Sequence, residues 1–177
     1  MTNDIIRVNF VCAGNICRSV MAENVARSYA EVMNLTSIEF SSSGTGAWHE
    51  GNEADPRTHR VLKDNKYPDF VHVARQYQDS WTDSTDLIVA MDQSNFTSLS
   101  THPILARNRS KLLLLRDLDG KRFSDSRMKS NRDLDVPDPY FGDREGFETT
   151  LRIVERGVQE LLDRIQNQTI SVLSYKR

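Results

Sequence analysis

The 177 residues contain only two cysteines, Cys12 and Cys17, and both fall within one short stretch. A disulfide framework is thereby excluded, and thiol chemistry in a reducing compartment is the reading that remains. No apolar run approaches the roughly 20 residues of a membrane span, and the start MTNDIIRVNF lacks the basic region and small-residue cleavage site of a secretory signal. A cytoplasmic location is therefore expected. Charge of one sign is also missing: 23 Lys and Arg stand against 25 Asp and Glu, scattered through the chain. That leaves no basic field for nucleic acid. The Gly-Lys-Ser/Thr ending of a nucleotide-binding loop and the three spaced glycines of a dinucleotide fingerprint are both absent. Four residues separate the two cysteines, which does not match a Cys-x-x-Cys metal site, and no second pair exists.

What is present centres on FVCAGNICRS, Phe10 to Ser19. The apolar run Ile5, Ile6, Val8, Phe10, Val11 stops at Cys12, Gly14 and Asn15 suit a tight turn, and a helical pattern begins beyond Ser19. A strand that feeds a short loop opening onto a helix gathers unpaired N–H groups and a positive dipole end around one space. Ala13, Gly14, Asn15, Ile16 and Cys17 would line that anion cradle. Cys12 stands at its edge, and Arg18, six positions on, can fold a two-toothed guanidinium over the same anion. Alone, a Cys and an Arg at this spacing are more often a buried thiol and a surface charge; their place between strand and helix reverses that reading. Ser19 sits where a helix N-cap would, a role compatible with a second one in the cradle.

Along the chain, strands are expected at 5–11, 37–42, in DLIVAMD (86–92) and at 111–115, and helices at 20–33, from Asp55-Pro56 to about Lys63, and along the stripe Phe147, Leu151, Val154, Val158, Leu161, Ile165. Alternation of strand and helix implies an α/β fold: a four-stranded parallel sheet with helices on both faces. The length and the 38% hydrophobic content fit a single domain over 1–177. Residues 117–135, charged and without an apolar period, read as a loop, either a solvated insertion or a lip over the cleft. The tail 168–177 carries no assignment.

The run VCAGNICRS followed by MAE resembles the phosphate loop of the low molecular weight protein tyrosine phosphatases. SSGTGAWHEGN, HVARQ, IVAMDQSN and DPYFG follow in that family's order, so the likeness spans about residues 5 to 165. The resemblance implies hydrolysis of phosphotyrosine in a protein, or of a small aryl phosphate, with no metal or other cofactor. Cys12 would be the nucleophile and form a phosphocysteine, Arg18 would bind phosphate, and Asp138, otherwise a simple Asp-Pro turn residue, would be the general acid and base. Trp48, which in a loop could equally be a packing lid, and Tyr140 would wall the cleft. His72 would support the loop through hydrogen bonds to its Asn and Ser. Asp92, by its position at the end of the strand segment DLIVAMD, sits where a helix cap or an active-site support would, and the cap is the preferred reading. Cys17 has a plain reading as a loop-packing residue; as a second loop thiol it could instead close a reversible disulfide on oxidised Cys12, a redox switch. Departures from the family pattern are Val20 in place of a common proline, Phe141 in place of a second tyrosine, and the long 117–135 loop. Two rivals fit less well. Thioredoxin-coupled arsenate reductases pass oxidation to further cysteines, and a phosphocysteine carrier or inactive phosphate-binding module is not expected to combine Arg18 with the Asp138 loop.

Overall fold

The structure, a computed structural model, describes residues 5–118 and 134–170. Its frame is one parallel sheet of four strands: β1 (Ile6–Cys12), β2 (Ile38–Gly44), β3 (Leu87–Ala90) and β4 (Leu112–Leu114), in the order β2-β1-β3-β4. Because β1 is flanked on both sides and covered on both faces, Val8, Phe10 and Val11 are all buried. Register aligns Cys12 with Gly44 and Val11 with Ala90, so the carboxyl ends of β1, β2 and β3 open at one edge of the sheet.

Among the described residues, five α-helices connect and cover the strands: α1 (Arg18–Val32), α2 (Pro56–Asp64), α3 (Gln93–Ser100), α4 (Pro103–Arg107) and α5 (Arg144–Gln166). Alternate residues of β1 divide the core. Val8, Phe10 and Cys12 face a large cluster with Met21 and Val25 of α1, Val61 and Leu62 of α2, and Phe147 through Ile165 of α5. Val11 faces a smaller one with Ile88, Ala90, Leu99 of α3 and Leu105 of α4. The expected α/β fold, a parallel four-stranded sheet with helices on both faces, is therefore observed.

Local chemistry explains the boundaries. Asp55 caps α2 by accepting from the Arg57 amide at 2.8 Å, with Pro56 at the first helical position. Asp143 caps α5 through the Gly146 amide at 3.1 Å. Gly157 lets α5 approach the turn Leu115–Asp117, since a Cβ there would lie 2.6 Å from Leu115 Cγ.

Several boundaries differ from expectation. Helix α1 begins at Arg18 rather than residue 20, and its N-cap is Cys17, which makes no side-chain cap bond. Ser19 is therefore inside the helix and is not its cap. Strand β2 runs on to Gly44, and β4 is only three residues, bounded by the 3-10 turns Arg109–Lys111 and Leu115–Asp117. Of the charged loop expected at 117–135, only Asp117, Leu118, Leu134 and Asp135 are among the described residues; of the tail 168–177, only 168–170 are.

Candidate active site

The loop from Cys12 to Arg18 is wound around its own asparagine. Asn15 adopts φ +56°, a left-handed conformation that Asn tolerates better than most residues, and it is fully buried. Its amide N–H points back at Cys12 Sγ, 3.3 Å away. Its side chain is completely used: Nδ2 donates to Ser19 Oγ and to Ser42 Oγ, both at 3.0 Å, and Oδ1 accepts from the Arg75 amide at 3.0 Å. Ser42 Oγ in turn donates to Glu23 Oε2 at 2.6 Å. These bonds have a direction. Ser19 Oγ already accepts from Asn15, so its proton is free to point at Cys12 Sγ, 3.1 Å away. Two donors thus converge on one sulfur at the start of a helix, where negative charge is favoured.

His72 Nε2 lies 2.7 Å from the Asn15 carbonyl and must donate to it. Burial pushes the His72 pKa below its ordinary value, which keeps the ring neutral and in one tautomer. The expected hydrogen bond to the loop's serine is not made: Ser19 is held by Asn15 instead, and His72 supports the loop through backbone alone. Gly44 closes the floor, because a Cβ there would stand 2.7 Å from the Ala13 carbonyl oxygen.

Arg18 is 3% exposed and sits between two carboxylates. Nη1 meets Asp92 Oδ2 at 2.5 Å and the Val136 carbonyl at 3.2 Å, while Nη2 meets Asp138 Oδ2 at 2.6 Å. Burial opposes its charge, but the negative field of Cys12, Asp138 and Asp92 outweighs that cost and raises its pKa. Asp92 also caps α3, accepting from the Asn95 amide at 2.6 Å. Cap and arginine partner are thus the same residue. Asp138 turns its other oxygen to the Tyr140 amide at 3.1 Å.

These groups surround a cavity of about 290 Å³ lined by Cys12, Ala13, Gly14, Ile16, Cys17 and Arg18 on the cradle side. Trp48, His49, Asp138, Tyr140 and Phe141 line the other side. The folded chain therefore brings together the sequence-selected residues, with His72 and Asp92 behind the cradle. Trp48 is 74% exposed, its ring laid over Gly46, where a Cβ would come within 2.2 Å of it. Burial pushes the Cys17 thiol up to about 12, and the neighbouring Thr58 hydroxyl only partly opposes the rise. Among the described residues, no group of three or more His, Cys, Asp or Glu side chains could hold a metal ion.

The sequence pattern of the low molecular weight phosphotyrosine protein phosphatases matches residues 7–171. The chain belongs to this family. A low molecular weight protein-tyrosine-phosphatase of Streptomyces coelicolor is 45% identical over 163 residues, 92% of this chain and 94% of the relative. A low molecular weight phosphotyrosine protein phosphatase of Schizosaccharomyces pombe is 41% identical over 144 residues, 80% and 85% of the two chains. The crystal structure of YfkJ from Bacillus subtilis superposes with a TM-score of 0.83 at 34% identity, covering 95% of this chain and 99% of that one.

Within this phosphatase fold, sequence reasoning missed four contributors: His49, whose ring tilts against Tyr140 with centroids 5.9 Å apart, and Ser42, Arg75 and Arg57. Ser42 and His49 lie inside a motif already singled out, but neither carries a spacing that would mark it. Arg75 acts through its backbone amide, which no sequence pattern reveals.

Proposed function

We propose that the protein hydrolyses phosphotyrosine and other aryl phosphomonoesters through a phosphocysteine on Cys12. The observation that carries this reading is that Cys12, whose Sγ is met from behind by the Asn15 amide and the Ser19 hydroxyl, lines one aromatic-walled cavity together with Arg18 and Asp138. Only a few per cent of an ordinary cysteine is thiolate near neutrality, and a phosphate dianion would repel a thiolate. The Asn15 amide, the Ser19 hydroxyl and the helix start meet the first problem, and Arg18 meets the second.

In the first step Cys12 sulfur attacks phosphorus, an S–P bond forms, the P–O ester bond breaks, and Asp138 gives its proton to the departing phenolate. In the second step Asp138, now a carboxylate, takes a proton from water as that water attacks phosphorus. The S–P bond breaks and inorganic phosphate leaves. Arg18 and the loop amides hold the equatorial oxygens, over which transition-state charge is spread. For Arg18 to do so, its Nη2 must exchange the Asp138 carboxylate for a phosphate oxygen. That exchange frees Asp138 to face the leaving group. A reducing compartment such as the cytoplasm suits a nucleophile of this kind; Cys17 lines the same cavity, and a reversible disulfide between it and oxidised Cys12 would keep the nucleophile from irreversible oxidation.

The test is Cys12→Ser. Turnover of an aryl phosphate, measured with chelator present, is expected to vanish while phosphate binding, followed by calorimetry, persists on the remaining amides and Arg18. Undiminished turnover in this variant would remove Cys12 as nucleophile.

A further inference from the structure

Arg57 makes more contacts than an exposed helix-start arginine needs. Its backbone amide and Nε donate to Asp55 Oδ1 at 2.8 and 3.0 Å, and Nη2 donates to Asp55 Oδ2 at 2.8 Å, a two-toothed grip. Nη1 is left over, and it reaches across to the Gly142 carbonyl at 3.3 Å. The flat guanidinium meanwhile lies over two rings, with Cζ 4.7 Å from the centre of Phe147 and 5.6 Å from that of Tyr140.

Each end of this bridge leads to the cavity. On one side, the Asp55 amide and the Thr58 hydroxyl both donate to the carbonyl of Ile16, at 3.0 and 3.1 Å, so the start of α2 is fastened to the phosphate loop. On the other, Tyr140 donates its amide to Asp138 Oδ1, so the position of Tyr140 sets that of the carboxyl. The stretch before Asp138 has anchors of its own, from the Val136 amide to Met91 and from Thr150 to the Pro137 carbonyl. The stretch after Asp138 is braced from outside by Arg57 and by the ring contact of His49.

We propose that Arg57 is a positioning residue for proton donation: it holds the loop carrying Asp138 and Tyr140 at a fixed distance from the phosphate loop. The proposal rests on the reading of Asp138 as general acid. Bulk stability is a poor alternative account of these contacts, because the Arg57 side chain is 43% exposed and ion pairs of that kind contribute little.

The experiment measures the first-turnover burst with phosphotyrosine, whose phenol leaves poorly, and with dinitrophenyl phosphate, whose phenol leaves without help. The variant is Arg57→Lys, which keeps a cation beside Asp55 but cannot grip Asp55 and Gly142 together. The phosphotyrosine burst is expected to slow about tenfold, the order of one charge-assisted hydrogen bond. The dinitrophenyl burst should change by less than about twofold, because proton donation matters little to a good leaving group. Inhibition by inorganic phosphate should stay the same. Combined with Asp138→Asn, Arg57→Lys should add nothing further, since both act at one step. Equal slowing on the two substrates, no slowing on either, or additive losses in the double variant would overturn the proposal. Arg57→Leu should show the same substrate pattern more strongly, and circular dichroism decides whether it has folded. Asp138→Asn alone separates the two ideas: if it spares neither substrate more than the other, the general-acid reading fails; if it behaves as an acid should while Arg57→Lys does not, only the role of Arg57 is lost.

Discussion

Six of the eight residues from Cys12 to Ser19 are buried, whereas six of the seven from Pro137 to Asp143 are exposed. The two loops face each other across one cavity, yet the first is locked by bonds to every polar atom of the Asn15 side chain, and the second is held at a few points. The difference matches what each side is asked to do. An anion cradle works when its donors are aimed before the charge arrives, so that no reorganisation is needed at the moment of reaction. On the mechanism proposed above, the side that carries Asp138 must let a substrate in and change partners, which a fully bonded loop could not do.

With the nucleophile left in place, the largest effect should come from the exposed side. Asp138→Asn is expected to slow the phosphotyrosine burst by roughly 10²–10⁴-fold, the usual worth of a positioned acid, and to spare activated aryl phosphates. If both substrates fall equally, Asp138 is a turn residue and the contrast between the loops is one of exposure alone. Next comes the locked side. Asn15→Ala strips partners from Ser19, Ser42 and the Arg75 amide and leaves Ala at φ +56°, so stability should fall by about 2–4 kcal/mol in urea unfolding. A loss under about 1 kcal/mol would show that the cradle is less rigid than its bonding implies.

A third effect reports on Cys17. With its pKa raised to about 12, thiolate at this position increases about tenfold per pH unit through neutrality and beyond. After peroxide oxidation of Cys12, disulfide closure should therefore accelerate about tenfold from pH 7 to 8, and again from 8 to 9, when followed by peptide mapping. A closure rate independent of pH would mean that Cys17 thiolate is not the attacking group. The smallest effect concerns the aromatic wall. Trp48→Ala should weaken phosphotyrosine a few-fold more than a small alkyl phosphate, given roughly 0.5–1.5 kcal/mol for an aromatic pair. Equal losses would assign Trp48 to packing over Gly46.

The contrast also decides what could be read from the chain alone. The cradle is local: strand, turn and helix follow one another within Ile6–Val32, so apolar period, Gly14 and the Cys12–Arg18 spacing already point to it. The opposite wall is not local. Asp92 and Asp138 reach Arg18 from 74 and 120 residues away, and no periodicity links them; the family resemblance supplied their roles. Strands and the long α5 were legible because they carry sustained apolar patterns. The extents of α3 and α4 were not, because QSNFTSLS and PILAR are short and bury only Asn95 and Leu99 in one and Leu105 in the other. For Ser19, position alone favours a cap, whereas the side chain is drawn away by Asn15 and Cys12.

The placing of the indoles has an optical consequence. The chain has two tryptophans. Trp48 stands at the cavity, while Trp81 lies beneath Arg75, with the guanidinium carbon 4.9 Å from its ring, and edge-on to Tyr77. A flat ring entering the cavity strips water from Trp48 and leaves Trp81 untouched. Fluorescence therefore divides into a component that shifts to shorter wavelength as the cavity fills and one that stays constant, and the molecule carries its own gauge of occupancy with an internal standard.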